Sequence, residues 1–184
     1  MGRMPGFNRV LAAPALLALA ALTSCVSDPI NQPCPSFGIL TDAEQATAFS
    51  GTGHDLSQVA YRVSLSDTSL KCGYSEKKRR ERVTQTVNGT LKVSLSVERG
   101  PALTNTEITV PYFVAVTRGK KYVLARQEFS QSFSLASGAR VSAEEEVPVS
   151  IPIAKDLTGG SYEVVVGIIL TSDQLAYNRA QKAH

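Results

Sequence analysis

Apolar and polar residues alternate with a period of two from Leu56 almost to the end of this chain, which leaves few folds open. Successive side chains of a strand point to opposite faces, so such alternation marks one buried and one solvated face. Val59, Tyr61, Val63 and Leu65 alternate with Ala60, Arg62 and Ser64. Leu91, Val93, Leu95 and Val97 alternate with Lys92, Ser94, Ser96 and Glu98. Ile108, Val110, Tyr112, Val114 and Val116 form a third run, with Pro111 and Phe113 opposite. A proline cannot donate to a ladder, so this run predicts an edge strand or a bulge. Tyr122 to Leu135 alternates less cleanly around Phe129 and Phe133. Val147, Val149, Ile151 and Ile153 carry Pro148 and Pro152 on the other face, which predicts an edge strand. Tyr162 to Leu170 is apolar on both faces through Val165 and Ile169, which predicts a central strand.

Turn signals separate the runs: Asp67-Thr68-Ser69, Asn88-Gly89, Arg99-Gly100-Pro101, Arg118-Gly119-Lys120, Ser137-Gly138 and Gly159-Gly160. If Asn88-Gly89 is a hairpin, the pattern requires a three-residue loop with a bulge. Val87 then pairs with Leu91 and Val83 with Leu95, so the apolar sets share a face. About seven short antiparallel strands predict an all-β, immunoglobulin- or fibronectin-like sandwich over residues 39–184. A small closed barrel is the alternative. Short helical signals flank it. Thr41 and Glu44 form a capping-box pattern, predicting a helix no longer than to about Phe49. Ser172 is expected to cap a helix near the C-terminus, with Leu175 and Ala176 facing inward.

The first 24 residues follow a different logic. Arg3 and Arg9 precede Val10 to Leu22, thirteen residues without a charge or a hydrogen-bonding side chain. A membrane-spanning helix needs about 20 residues. Thirteen after a basic start suit the apolar core of a secretory signal, but Leu22-Thr23-Ser24 is a poor A-x-A-like cleavage site. Leu22-Thr23-Ser24-Cys25 instead resembles the lipobox of bacterial lipoproteins. The resemblance implies cleavage before Cys25 and acylation of its sulfur and its new α-amine. Several acyl chains hold a protein stably where one holds it marginally. In such lipoproteins an Asp directly after the cysteine often marks inner-membrane retention. Val26 stands there and Asp28 comes later, so the resemblance implies the outer membrane, facing the periplasm, with the inner membrane second. Residues 26–38 hold three prolines and no periodicity, which predicts a tether from Cys25 to the domain. Removing Arg3 and Arg9 lowers the net charge from +3 to +1. So small a charge gives no sign of nucleic-acid binding. At 43% hydrophobic and 19% charged, the chain is neither collagen-like nor disordered nor polytopic.

Cys34 and Cys72 remain, and in an oxidising compartment two such cysteines usually pair. The loop of 38 residues would contribute about 4 kcal/mol. A metal site of Cys34, Cys72 and His54 lacks C-x-x-C spacing. The mature chain also resembles, loosely, a set of Gram-negative envelope lipoproteins that bring no activity or catalytic residues with them. The likeness is carried by Cys34-Pro35, Cys72 with Tyr74, Arg99-Gly100-Pro101, Tyr112 to Val116 and Asp173 to Arg179. It supports the Cys34–Cys72 pairing.

Chemistry is scarce. His54 and His184 are the only histidines, and no nucleophile elbow, zinc helix, phosphate loop or dinucleotide fingerprint occurs. No catalytic residue, metal or cofactor is assigned, and the chain reads as no enzyme. Two charge clusters stand out: Lys77-Lys78-Arg79-Arg80-Glu81-Arg82 and Glu144-Glu145-Glu146. Both fit solvated tips or edge guards. The sharper expectation gives Lys77, Lys78, Arg79, Arg80 and Arg82 an anionic-surface contact such as phospholipid headgroups. Tyr177, Asn178 and Arg179 form a candidate partner surface. The alternative seals the sandwich with Leu175 and Tyr177 and leaves Asn178 and Arg179 solvated. The expected function is a membrane-anchored, non-catalytic binding, adaptor or assembly domain of the envelope, with proline-bounded edges open to strand addition. A structural lipoprotein without a dedicated ligand comes second, and an enzyme third.

Overall fold

The computed structural model describes residues 32–79, 82–119, 122–136 and 138–182. The signal segment, Cys25 and the first part of the tether lie outside the described residues. The alternating runs become eight strands: β1 (Ser36–Ile39), β2 (Gln45–Phe49), β3 (Val59–Arg79), β4 (Arg82–Arg99), β5 (Glu107–Arg118), β6 (Tyr122–Ser134), β7 (Arg140–Pro152) and β8 (Glu163–Ile168). Among the described residues there is one α-helix, α1 (Ser172–Lys182). The strands form two four-stranded sheets, ordered β1-β8-β5-β6 and β2-β3-β4-β7. This is the expected sandwich rather than a closed barrel. β4 pairs with β7 and β5 with β8, each three strands further on. Strands B–E and C–F of the immunoglobulin sandwich pair in the same way. The place beside β8 is taken by β1, which runs parallel to it.

The core lies between the sheets. Val87, Leu91, Val93, Leu95 and Val97 of β4 are at most 1% exposed. Tyr112 of β5 and Val164 and Val166 of β8 are among the buried residues of the same cluster. The Val147–Ile153 run forms the edge strand β7, as its prolines require. Ile153 donates to the Gln85 carbonyl, so Pro148 and Pro152, of opposite parity, turn their nitrogens away from β4. β8 is internal, between β1 and β5.

Five expectations are corrected by the tertiary structure. Asp67-Thr68-Ser69 is no turn: it lies within β3, just after a bulge between Leu65 and Asp67, paired with Ser94, Val93 and Lys92. Pro111 is not on an edge, because β5 lies between β8 and β6. The proline is tolerated because the β5–β8 pairing ends one residue away, at Tyr112–Ile168. There Pro111 only accepts, from the Ile169 amide at 2.9 Å. Asn88-Gly89 is no turn: it lies within β4, where Gly89 pairs with Cys72 and Val87 with Tyr74. A Cβ on Gly89 would come within 2.6 Å of the Lys71 carbonyl, so close strand approach explains the glycine. Asn88 bridges three strands, donating to Ser75 Oγ at 2.8 Å and accepting from Ser150 Oγ at 3.1 Å. The Thr41 signal gives only a 3₁₀ turn, Thr41–Ala43, and Gln45–Phe49 pairs with β3 instead. So short a helix is marginal alone, whereas the sheet offers partners at once. Finally, the tether ends earlier than residue 38, since Ser36 already pairs with Glu163 in β8.

Leu95→Ala should cost about 2–5 kcal/mol of unfolding free energy, because it empties a fully buried site between the sheets. Val123→Ala, on exposed β6, should stay within roughly 0.5 kcal/mol of the parent. Urea denaturation of the two variants checks the pair; equal losses would place the core elsewhere.

Candidate functional site

The chain enters the domain at a covalent junction. Cys34 and Cys72 form a disulfide, with Cα atoms 6.0 Å apart. Tyr74, two residues on and so on the same face of β3, closes the junction with its hydroxyl. It donates to the Pro33 carbonyl at 2.6 Å and accepts from the Gly159 amide at 3.0 Å. A side chain on Gly159 would run into that hydroxyl and the Pro33 carbonyl, so only glycine fits. The Ser36 amide then donates to the Tyr162 carbonyl at 3.2 Å and β1 begins. The cysteine count pointed to the disulfide. It did not show Tyr74 and Gly159, which lie 85 residues apart.

The same end of the sandwich carries the basic run. β3 continues from Cys72 to Arg79, and β4 returns from Arg82, with Arg79 paired to Arg82. The Arg79–Arg82 pair is the last of the β3–β4 ladder. Partner strand β7 reaches only to Thr86–Pro152, so the β3–β4 tip projects alone. Lys77 and Lys78 are exposed on it. At about 3.3 Å per residue, Lys77 stands roughly 17 Å beyond Cys72 along one strand. Arg80 lies outside the described residues, and the side chains of Arg79 and Arg82 are likewise not described.

The acidic run lies elsewhere, along the β7 edge. Glu144 and Glu146 flank Lys92 at 2.6 and 3.6 Å on the outer face. The contact with Glu144 holds the Lys92 ammonium above the usual lysine range. Glu145 is half-buried on the other face of β7. Burial first, and then the charge of Glu145, push the Tyr112 phenol above the usual tyrosine range.

The candidate partner surface on α1 divides. Asn178 is buried, 1% exposed, and so belongs to no surface. Its Nδ2 donates to the carbonyls of Gln45 at 2.7 Å and Asp42 at 3.2 Å, while Oδ1 has no hydrogen-bond partner. Gln174, one turn earlier, donates to the Thr47 carbonyl at 3.5 Å, and Lys182, one turn later, to the Thr41 carbonyl. Gln45 and Thr47 have the outward parity of β2, so this i, i+4, i+8 stripe closes the free edge of the strand. Arg179 is exposed and pairs with Asp42 at 3.0 Å. Tyr177 packs edge-on against Phe49, with ring centroids 5.2 Å apart. The cap of α1 is Thr171 rather than Ser172. Thr171 Oγ1 accepts from the Gln174 amide at 3.2 Å, and Gln174 Oε1 accepts from the Thr171 amide at 3.0 Å. Leu175 is half-buried as expected, but Ala176 is exposed.

Concavities include one of about 270 Å³ lined by Leu56, Arg62, Glu98 and Arg99, and two near α1 and the Leu40–Ala43 segment. A cleft of about 360 Å³ lies beside Phe49, His54 and Tyr177. His54 packs on both rings, at 4.9 and 5.1 Å. Its neighbour Asp55 is engaged in capping a 3₁₀ turn, accepting from the Ser57 amide and hydroxyl at 2.8 Å. These bonds keep its carboxyl below the usual range. A second groove, between Leu40–Ala43 and the outer face of the first sheet, is lined by Phe113 and by Arg126, whose guanidinium sits 4.4 Å over the Phe113 ring. Among the described residues, no three His, Cys, Asp or Glu side chains gather as a metal site, and no helix is long and apolar enough to cross a membrane.

Comparison with protein-family models, with curated proteins and with solved structures returns no match to this chain.

Asn178→Ala should destabilise the domain by about 1–3 kcal/mol, because two carbonyls lose a buried donor. Asn178→Asp should cost more, since a carboxylate then faces those carbonyl oxygens. Chemical denaturation ranks the two; a neutral Asn178→Asp would show that α1 does not seal the β2 edge.

Proposed function

We propose that this chain is a lipid-anchored envelope protein, held through Cys25 in the outer membrane and facing the periplasm. Its sandwich is a non-catalytic binding, adaptor or assembly domain that rests its basic tip on anionic headgroups. One observation carries this reading. The disulfide at which the tether enters and the basic β3–β4 tip lie at the same end of the sandwich. From Cys25 to Cys34 is nine residues, a reach of at most about 30 Å. An anchor that short keeps that end, and not the α1 end, near the bilayer. The exposed Lys77 and Lys78 then meet a surface of opposite charge, where each basic residue contributes about 1 kcal/mol.

Two measurements test this. The mass of the mature N-terminus should show an acylated Cys25; an unmodified Cys25 behind an intact segment 1–24 removes the anchor. Separately, Lys77→Glu with Lys78→Glu should weaken binding of the unacylated domain, residues 32–184, to anionic vesicles by about 30-fold at low salt. The difference should shrink as salt rises. Equal binding by parent and variant would remove the headgroup contact. Pull-down of the native protein from detergent-solubilised envelope then separates the adaptor, which brings down a stoichiometric partner, from a structural protein that brings none.

A further inference from the structure

The β5–β6 turn has a composition that the fold does not explain. Tyr122, Val123 and Leu124 are 62%, 65% and 49% exposed, and they are consecutive. They neither join the core nor pack on it. In the sequence Arg118, Lys120 and Lys121 stand directly before them, and the exposed Arg118 pairs with Tyr122 across the two strands.

Strand registers place this turn. Ser36 pairs with Glu163, Glu163 with Thr117, and Thr117 with Val123. These four residues form one row across β1, β8, β5 and β6. At about 4.8 Å between strands, Val123 stands roughly 15 Å from Ser36, and Ser36 is two residues from the disulfide-bound Cys34. The tether junction, the β3–β4 tip and the β5–β6 turn therefore share one end. α1 and the exposed Leu56 lie at the other, since Leu56 precedes the start of β3 and α1 covers β2.

We propose that Tyr122, Val123 and Leu124 form a second membrane contact, entering the interfacial layer of an anionic bilayer, with the exposed Arg118, paired to Tyr122, beside its headgroups. The apolar trio with a basic flank is the composition of interfacial anchors, in which tyrosine sits at headgroup level and aliphatic side chains reach the acyl boundary. A lipid surface is the occupant because the flank is cationic and the chain that leaves this end runs nine residues from Cys34 to the lipobox cysteine. The inference rests on the lipid-anchored reading for that proximity. It adds a contact distinct from the β3–β4 tip: apolar insertion rather than charge alone.

The chain contains no tryptophan, so Tyr122→Trp supplies a single fluorophore at an exposed site. Leu56→Trp, 67% exposed in the parent at the opposite end, is the control. Both are made in the full chain and mixed with vesicles containing phosphatidylglycerol, with and without bromine on the acyl chains. The expected result is a blue shift and bromine quenching for Tyr122→Trp, weakened by Arg118→Glu, and neither for Leu56→Trp. Emission of Tyr122→Trp as wet and as unquenched as that of Leu56→Trp would overturn the proposal. So would a blue shift without bromine quenching, which would mean burial against protein, as in a second copy. The mass of Cys25 from the same samples reports on the anchor alone: an acylated Cys25 with unquenched emission from Tyr122→Trp sinks the turn contact and leaves the anchor standing.

Discussion

Two open sheets have four free edges, and each presents unpaired backbone groups that would recruit another strand unless blocked. Much of this molecule is organised around that constraint. β2 is closed by Gln174, Asn178 and Lys182, which carry donors to its outward carbonyls and to the turn before it from successive turns of α1. β7 is blunted by Pro148 and Pro152 and by the charges of Glu144 and Glu146. β1 is four residues long and follows the disulfide closely. β6 carries the exposed Arg126–Glu128 ion pair at 2.9 Å in its middle, and its exposed large apolar residues are its first three.

The blocking devices give the sandwich a polarity. At one end α1 and the Leu40–Ala43 segment cover the strands with hydrogen bonds and an ion pair. At the other, Cys34 and Cys72 are joined covalently, β3 and β4 run past the end of β7 with Lys77 and Lys78 exposed, and Tyr122, Val123 and Leu124 are exposed on β6. The proposed headgroup contacts follow from this polarity.

Much of the strand content was legible in the side-chain period, as β4 shows: Leu91, Val93, Leu95 and Val97 alternate in sequence and are all buried. The edge position of β7 was legible in its two prolines, and the disulfide in the cysteine count. The misreadings share one cause. Pro111, Asn88-Gly89 and Thr41-x-x-Glu44 are local signals whose outcome depends on what a distant strand supplies. Gly89 accommodates the Lys71 carbonyl rather than a turn, and Gln45–Phe49 extends because β3 offers hydrogen bonds that a short helix cannot match. Asn178 looked like a solvated residue because its acceptors, Asp42 and Gln45, are more than 130 residues away.

The sequence by itself determined which residues face the core, how many cysteines can pair, and that basic charge concentrates in residues 77–82, since these are properties of neighbours along the chain. Only the tertiary structure decided which end of the sandwich each feature occupies. A strand carries no mark of its partner, and the row from Ser36 through Glu163 and Thr117 to Val123 exists only once three strand pairings are made. That row brings an exposed apolar turn to the tether, through registers fixed by packing two hydrophobic faces together.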